Sequence, residues 1–359
     1  MVIRKLPAFR ICTALALAAL PVGALAEDEA EAALDRCTEI AGAPDAGVPV
    51  SRAAMADYLN ALSRARPHCK SATQADPPPQ AALFNLAAAQ QRSGDHERAI
   101  ANFEAAAEAG LAAARTKLGD YYNFGIGPVK EDHERAVGYY RKAADAGDLP
   151  AMTTLALMYR LGRGVTQDHA QMIEWMERAA DGGYHFAQVR LAELSLDPKG
   201  IGRDDAAALG LPDPARAADL YARAGAQGNL SAMLELAGLY ADDGKGVAAD
   251  PQRHAEWINR AAGTGMPQAQ GALGLLYEQG RGVERDPARA AQLYVKALES
   301  GDLSLAKLRS IGGAGAPRWD RETAVEFQKI LRERGLYRGA LDGVVGPGTS
   351  AAARALGGG

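Results

Sequence analysis

Six histidines, three cysteines and a Ser304-x-x-Lys307 pair are the groups in this 359-residue chain whose chemistry could amount to catalysis or metal binding. The histidines, at 68, 96, 133, 169, 185 and 254, are scattered, and no His-Glu-x-x-His string puts two on one helix face. No metal site is therefore expected. His133 and His169 each follow an aspartate suited to capping a helix, which places them on an exposed first turn and reads as solvated. Ser304 and Lys307 have the spacing of a serine nucleophile with a lysine base, but the Ser-Asp-Asn and Lys-Thr-Gly strings that complete such a site are absent. A helix start capped by Asp302 accounts for the pair. Gly162-Arg163-Gly164-Val165, Gly244-Lys245-Gly246-Val247 and Gly280-Arg281-Gly282-Val283 look superficially like phosphate loops. No strand precedes them and no Gly-Lys-Ser/Thr follows, so they read as tight helix-to-helix turns. No carboxylates are paired by spacing for acid–base work, and no cofactor is implied. The chain reads as non-enzymatic.

Charge narrows the partners. With 40 basic and 44 acidic residues the chain carries a net −4, and without its first 26 residues, which hold three basic groups and no acid, −7. A phosphate-backbone binder needs a basic surface, so nucleic acid is not an expected partner. In that leading stretch Arg4, Lys5 and Arg10 precede an apolar run from Ile11 to Leu20, then Pro21 and Ala24-Leu25-Ala26. This is the build of a secretory signal over 1–26, cleaved near Ala26, and it implies a periplasmic or secreted protein. The run is too short to span a bilayer, no later stretch is a transmembrane candidate, and Cys12 has no lipid-attachment pattern. Cys37 and Cys69 remain, an even number in an oxidising setting; a disulfide is favoured over two buried thiols. Closing about 32 residues, it would be worth on the order of 3–4 kcal/mol. Ser51 as a cap and Met55, Tyr58, Leu59 and Leu62 on one face make 27–79 a stapled helical cap.

Internal repetition organises the middle. Aspartates at 132, 168, 213, 250 and 286 recur at spacings of 36, 45, 37 and 36, and fifteen residues after each stands Gly147, Gly183, Gly228, Gly265 or Gly301. Asp213, Asp250 and Asp286 are followed by proline, the pattern of an N-cap with proline at the first helical position. The glycines suit the left-handed conformation that ends a helix, and Asp148, Asn229 and Asp302 after three of them can cap the next. Each unit is thus two helices. Its first helix carries Leu118-Gly119, Leu155-Ala156, Leu191-Ala192, Leu236-Ala237 or Leu273-Gly274, with Tyr122, Tyr159, Tyr240 and Tyr277 a turn later in four of five. Trp175 and Trp257 fall at the packing position of the second helix and read as core rather than a sugar-stacking strip.

The string Leu273-Gly274-x-x-Tyr277-x-x-Gly280-x-Gly282-Val283-x-x-Asp286, then Ala290, Tyr294, Ala297 and Gly301, resembles the Sel-one-like repeat, a relative of the tetratricopeptide repeat. Five such units and a capping helix cover 112–312, and 80–111 is similar to a degenerate tetratricopeptide-like unit. The third unit departs from the pattern with Ser195 in place of tyrosine and nine extra residues within 197–212. The resemblance implies an all-α solenoid of helical hairpins, whose groove binds partners.

After a Gly-Ala-Pro linker at 313–318 the pattern changes. Ala324, Phe327, Gln328 and Leu331 mark an amphipathic helix, followed by Gly335-Leu336-Tyr337-Arg338-Gly339-Ala340-Leu341-Asp342-Gly343 and Gly346-Pro347-x-Thr349. Residues 319–359 resemble a short peptidoglycan-binding-like domain, lacking the family's aromatic at Val345 and its closing aromatic-Gln. Asp342-Gly343 serves the turn. The resemblance makes Tyr337, Arg338, Asp342 and Thr349 the candidate peptidoglycan contacts. The expectation is an exported envelope scaffold or adaptor that grips an envelope protein with its groove and associates with peptidoglycan through its tail. A periplasmic regulator of a signalling or secretion system is the alternative, and a wall-active or β-lactamase-like enzyme a more distant one.

Overall fold

Ala, Leu and long charged side chains at a 3.6-residue period leave helices as the elements able to bury this chain's apolar positions. The computed structural model describes residues 22–42, 52–241, 246–309 and 317–357, and every regular element among them is an α-helix. The helices fall into two units, Met1–Glu131 and Asp132–Gly359.

The first unit contains α1 (Val22–Ala41), α2 (Arg52–Ala72), α3 (Gln80–Arg92), α4 (His96–Glu108) and α5 (Ala112–Phe124). The expected Cys37–Cys69 disulfide joins α1 to α2 with Cα atoms 4.8 Å apart, and both residues lie in a core with Ala41, Leu62, Ala65 and Leu86 of α3. Asn85 donates from Nδ2 to the Gly42 carbonyl at 3.2 Å, tying the staple to the first repeat. Residues 1–21 of the expected signal and the Ser51 cap lie outside the described residues; α1 runs through the Ala26–Glu27 junction. Phe84, Phe103 and Tyr121 stack edge to face across α3, α4 and α5, and burial pushes the Tyr121 hydroxyl up to about 12.

The second unit carries α6 (His133–Asp145), then the pairs α7 (Leu149–Leu161) with α8 (His169–Asp181), and α9 (His185–Leu196) with α11 (Pro214–Ala226). The pairs α12 (Leu230–Tyr240) with α13 (Pro251–Gly263) and α14 (Pro267–Gln279) with α15 (Pro287–Glu299) continue it. α10 (Arg203–Ala208) lies in the insertion, and α16 (Leu305–Leu308), α17 (Arg321–Glu333) and α18 (Pro347–Ala355) follow the last pair. All five repeat aspartates are N-caps: Asp132, Asp168, Asp213, Asp250 and Asp286 each accept from the backbone N–H three residues on, at 2.9–3.0 Å. Asp148 and Asn229 cap α7 and α12 likewise. Asp302 does not. Leu303 turns into the core, α16 starts only at Leu305 after an uncapped Ser304, and the Asp302 N–H donates to Ser300 Oγ instead.

Two contacts fix how the pairs follow one another. The backbone N–H of three capping aspartates donates to the carbonyl of the tyrosine register, Asp168 to Tyr159, Asp250 to Tyr240 and Asp286 to Tyr277, at 2.9–3.1 Å. Asp213 makes the same bond to Ser195 at 2.7 Å, so the nine extra residues form a closed excursion that leaves the repeat geometry intact. The second glycine of each turn meets the first residue of the preceding second helix. A Cβ on Gly282 would stand 1.8 Å from the Pro251 carbonyl oxygen, and on Gly164 2.3 Å from that of His133. Of the Gly244-Lys245-Gly246-Val247 turn, Gly244 and Lys245 lie outside the described residues.

The C-terminal piece shares a core with the last pair. Tyr294, Val295 and Leu298 of α15 pack with Phe327 and Leu331 of α17 and Ala352 and Ala353 of α18. Trp319 sits between Tyr294 and Phe327, with ring centroids 5.2 and 5.3 Å away. Residues 310–316, most of the expected linker, lie outside the described residues, but the carbonyls of Pro317 and Arg318 are held by Arg309 at 2.7 and 3.1 Å.

Gly282→Ala must strain a φ of +71° and displace backbone, so it is expected to cost at least ~2 kcal/mol in urea unfolding. Gly138→Ala, mid-helix in α6 with open space around its Cβ, should stabilise by ~0.5–1 kcal/mol. Equal effects would break the assignment of the glycine turns as inter-repeat contacts.

Candidate functional site

The second helices turn a charged side to solvent, such as Glu256, Asn259 and Arg260 of α13, while the first helices are more buried and leave only a short row of positions exposed or half-buried. On α7 these include Thr154, Leu157 and Leu161; on α9, Phe186, Arg190 and Glu193; on α12, Ser231 and Glu235. Leu161 is 60% and Phe186 37% exposed. Two contacts join α9 to the start of α12: Asn229 Nδ2 lies 3.1 Å from His185 Nδ1, and Gln227 Nε2 donates to Gln188 Oε1 at 2.9 Å. Burial chiefly, then Glu235 and Glu193 together, raise the buried Tyr221 hydroxyl. The row thus carries apolar side chains together with carboxylates, of which Glu193 pairs with Arg190 at 2.9 Å. Tyr184 and Phe186 lie 6.1 Å apart, with the Arg190 guanidinium 5.1 Å from the Phe186 ring.

Arginines trim the edges. Arg253 and Arg289, three residues after their capping aspartates, lie over Tyr240 and Tyr277 at 5.4 and 4.6 Å. In the third unit, where Ser195 replaces the tyrosine and bonds back to the Leu191 carbonyl, Arg216 turns to Glu177 of α8. Trp175 and Trp257 are buried, each capped by an arginine, Arg178 and Arg260. The insertion folds onto the preceding pair through His169 Nδ1 and Asp205 Oδ2 at 2.7 Å and through Arg160 to the Lys199 carbonyl at 3.3 Å. His169 is therefore not a solvated surface residue: its side chain is 11% exposed, because the extra residues that sequence spacing reveals but cannot place lie over it. Among the described residues no cluster of His, Cys, Asp and Glu could hold a metal ion, and no helix is long and apolar enough to cross a membrane.

In the C-terminal piece the candidate residues gather around one side chain that the sequence marks only as helix face. Gln328, fully buried on α17, donates from Nε2 to Asp342 Oδ1 and the Val344 carbonyl, both at 3.0 Å, and its Oε1 accepts from the Gly343 N–H at 3.0 Å. Asp342 also accepts from the Val344 N–H at 2.9 Å. The Gln328 amide first, then that N–H, hold the Asp342 carboxyl below the usual range. Thr349 is buried, its hydroxyl turned inward to the Val344 carbonyl at 3.4 Å, so it is withdrawn from the surface. Tyr337 packs partly on the shared core and donates to the Ala340 carbonyl at 2.8 Å. Arg338, Leu336 and Val344, the last 63% exposed, form the outward side of the loop.

The Sel1 repeat is matched over 80–111, 112–148, 149–184, 185–211, 209–229, 230–263 and 267–302, more than half of the sequence. The chain belongs to the Sel1 repeat family. The match includes 80–111, read above as a degenerate tetratricopeptide-like unit, and it divides at the insertion. A Sel1 repeat protein from Oxalobacter formigenes has a similar fold, with 22% identity over 70% of this chain and 99% of that one and a TM-score of 0.50. A protective antigen of uropathogenic Escherichia coli with an SLR fold is 22% identical over 93% and 84% of the two chains, TM-score 0.38. An immunity protein from Pseudomonas aeruginosa is 19% identical over 66% and 81%, TM-score 0.39. No curated protein matches the sequence. The Sel1 repeats make this chain a protein-binding scaffold, and the all-α solenoid class is the one expected.

Gln328→Leu should raise the Asp342 carboxyl toward its ordinary value in an NMR titration, since both donors to it depend on this side chain holding the loop. Because the folded value is depressed, the stabilisation from Asp342 is present above the ordinary carboxylate range and lost as pH falls through the folded value. The variant should lose that acid-side dependence; an unmoved titration would remove Gln328 as the organiser of the loop.

Proposed function

We propose that this Sel1 repeat protein is an exported, non-enzymatic scaffold of the bacterial cell envelope. In this reading it holds a protein partner on the outward row of α7, α9 and α12 and associates with peptidoglycan through the loop after α17. The observation that carries the partner reading is the exposure of Leu161 on α7 and of Phe186 on α9, the latter beneath Arg190, which also pairs with Glu193. The Cys37–Cys69 disulfide supports an oxidising compartment, in line with the signal-like leader. Support for wall association is local chemistry. Residues 317–359 hold seven basic against five acidic side chains in a chain of net −4, and Arg338 stands exposed beside Leu336 and Val344. An arginine of this kind pairs with a stem-peptide carboxylate, and the apolar pair with its alanine methyls.

Crosslinking in the native envelope should capture a discrete partner, and Phe186→Asp with Leu161→Asp should reduce that product by about tenfold or more while leaving the melting curve unchanged. An undiminished product would exclude this face. With purified sacculi, Arg338→Glu should pellet far less than the unmodified protein; equal pelleting would remove the wall reading and leave the scaffold.

A further inference from the structure

Arg309 stands where every preceding repeat of the second unit buries a leucine. Counted seven residues from the start of each first helix, the register gives Leu155 from Asp148, Leu191 from Tyr184, Leu236 from Asn229 and Leu273 from Met266, and then Arg309 from Asp302. α16 is therefore the opening turn of a further first helix that stops at a buried guanidinium. The matching departure is Glu278, one residue after the tyrosine register, where the other pairs have Arg160, Leu196 and Ala241. The side chains of Arg309 and Glu278 are 1% and 3% exposed and form a forked ion pair, with Arg309 Nε 3.0 Å from Glu278 Oε2 and Nη2 on Oε1.

The pair is completed by the two segments it joins. Glu278 accepts from the Tyr294 hydroxyl at 2.5 Å and from the Asp320 N–H at 2.8 Å, while Arg309 donates to the carbonyls of Pro317 and Arg318 and lies 4.4 Å from the Trp319 ring. Around this centre, Arg285 pairs with Asp320 and Glu322 at 2.8 Å, Arg334 pairs with Glu299, and Gly357 packs on Gly301 and the Leu298 carbonyl. α17 and α18 thus occupy the side of α15 that a following hairpin would cover.

We propose that residues 317–357 are the cap of the repeat stack rather than a separately folding module, and that the Arg309–Glu278 clasp makes cap and last hairpin open and close as one cooperative unit. A buried ion pair adds little net stability over a leucine, but it penalises any arrangement in which one member is left without the other. Undocking α17 would strip Arg309 of two carbonyl acceptors and Glu278 of the Asp320 N–H at once, so the last hairpin senses whether its cap is seated. A ligand held by the cap would, by linkage, protect α14 and α15 as well.

Hydrogen exchange on the full chain tests this without any ligand, so its outcome is independent of wall or partner binding. In Glu278→Gln and in Arg309→Leu, amides of α14–α15 and of α17–α18 should lose protection together by at least about a hundredfold, with α7–α9 unchanged. The double variant, which removes both charges, should recover part of the protection in both segments. Arg309→Lys keeps the charge but gives up the fork, and it should show the same joint loss at smaller amplitude if the stronger variants do not fold. Loss confined to either segment, or unchanged exchange in both, would overturn the proposal.

Discussion

A helical hairpin of thirty-odd residues has no core of its own; it buries one side against the hairpin before it and the other against the hairpin after. Everything in the second unit follows from keeping that relation constant. The capping aspartate whose N–H returns to the tyrosine-register carbonyl fixes where each second helix begins relative to its first. The glycine that presses on the start of the preceding second helix fixes the distance between successive pairs. Both contacts involve backbone, so side chains at the outward positions can vary without altering the stack, and that is where a scaffold can change what it binds.

The same relation makes the ends a problem, because the outermost hairpin has an apolar side with nothing to cover it. In the first unit a disulfide-linked helix pair packs on α3. At the end of the second unit, an arginine replaces the repeat leucine and is neutralised by a glutamate found in none of the other pairs of that unit at that register. Charge in the core is tolerated there because hydrogen bonds from Tyr294 and Asp320, and to Pro317 and Arg318, complete it. The exposed loop around Arg338 is consequently carried on a body continuous with the repeats.

The third unit shows what the stack absorbs and what it does not. Nine extra residues leave the Asp213–Ser195 bond in place, yet they cover His169, and loss of the tyrosine redirects Arg216 to Glu177. The altered unit keeps its geometry and changes its surface, which gives α9 and the neighbouring insertion a character unlike the rest of the row.

Local chemistry was enough to read the helices, their caps and their repetition, since Asp-Pro starts, glycine stops and small-beside-large pairs act within a few residues of themselves. The Cys37–Cys69 link was equally legible, from the even number of cysteines that follow the signal-like leader. What the sequence could not decide was which distant groups meet. Asp302 looks like its capping counterparts until Leu303 is drawn inward, and Thr349 looks like a surface hydroxyl until Gln328 gathers the loop around it. Glu278 and Arg309 stand 31 positions apart, with nothing local in the sequence to link them. Only the docking of α17 on α15 excludes water from both, and burial is what turns an ordinary acid and base into the clasp at the end of the stack.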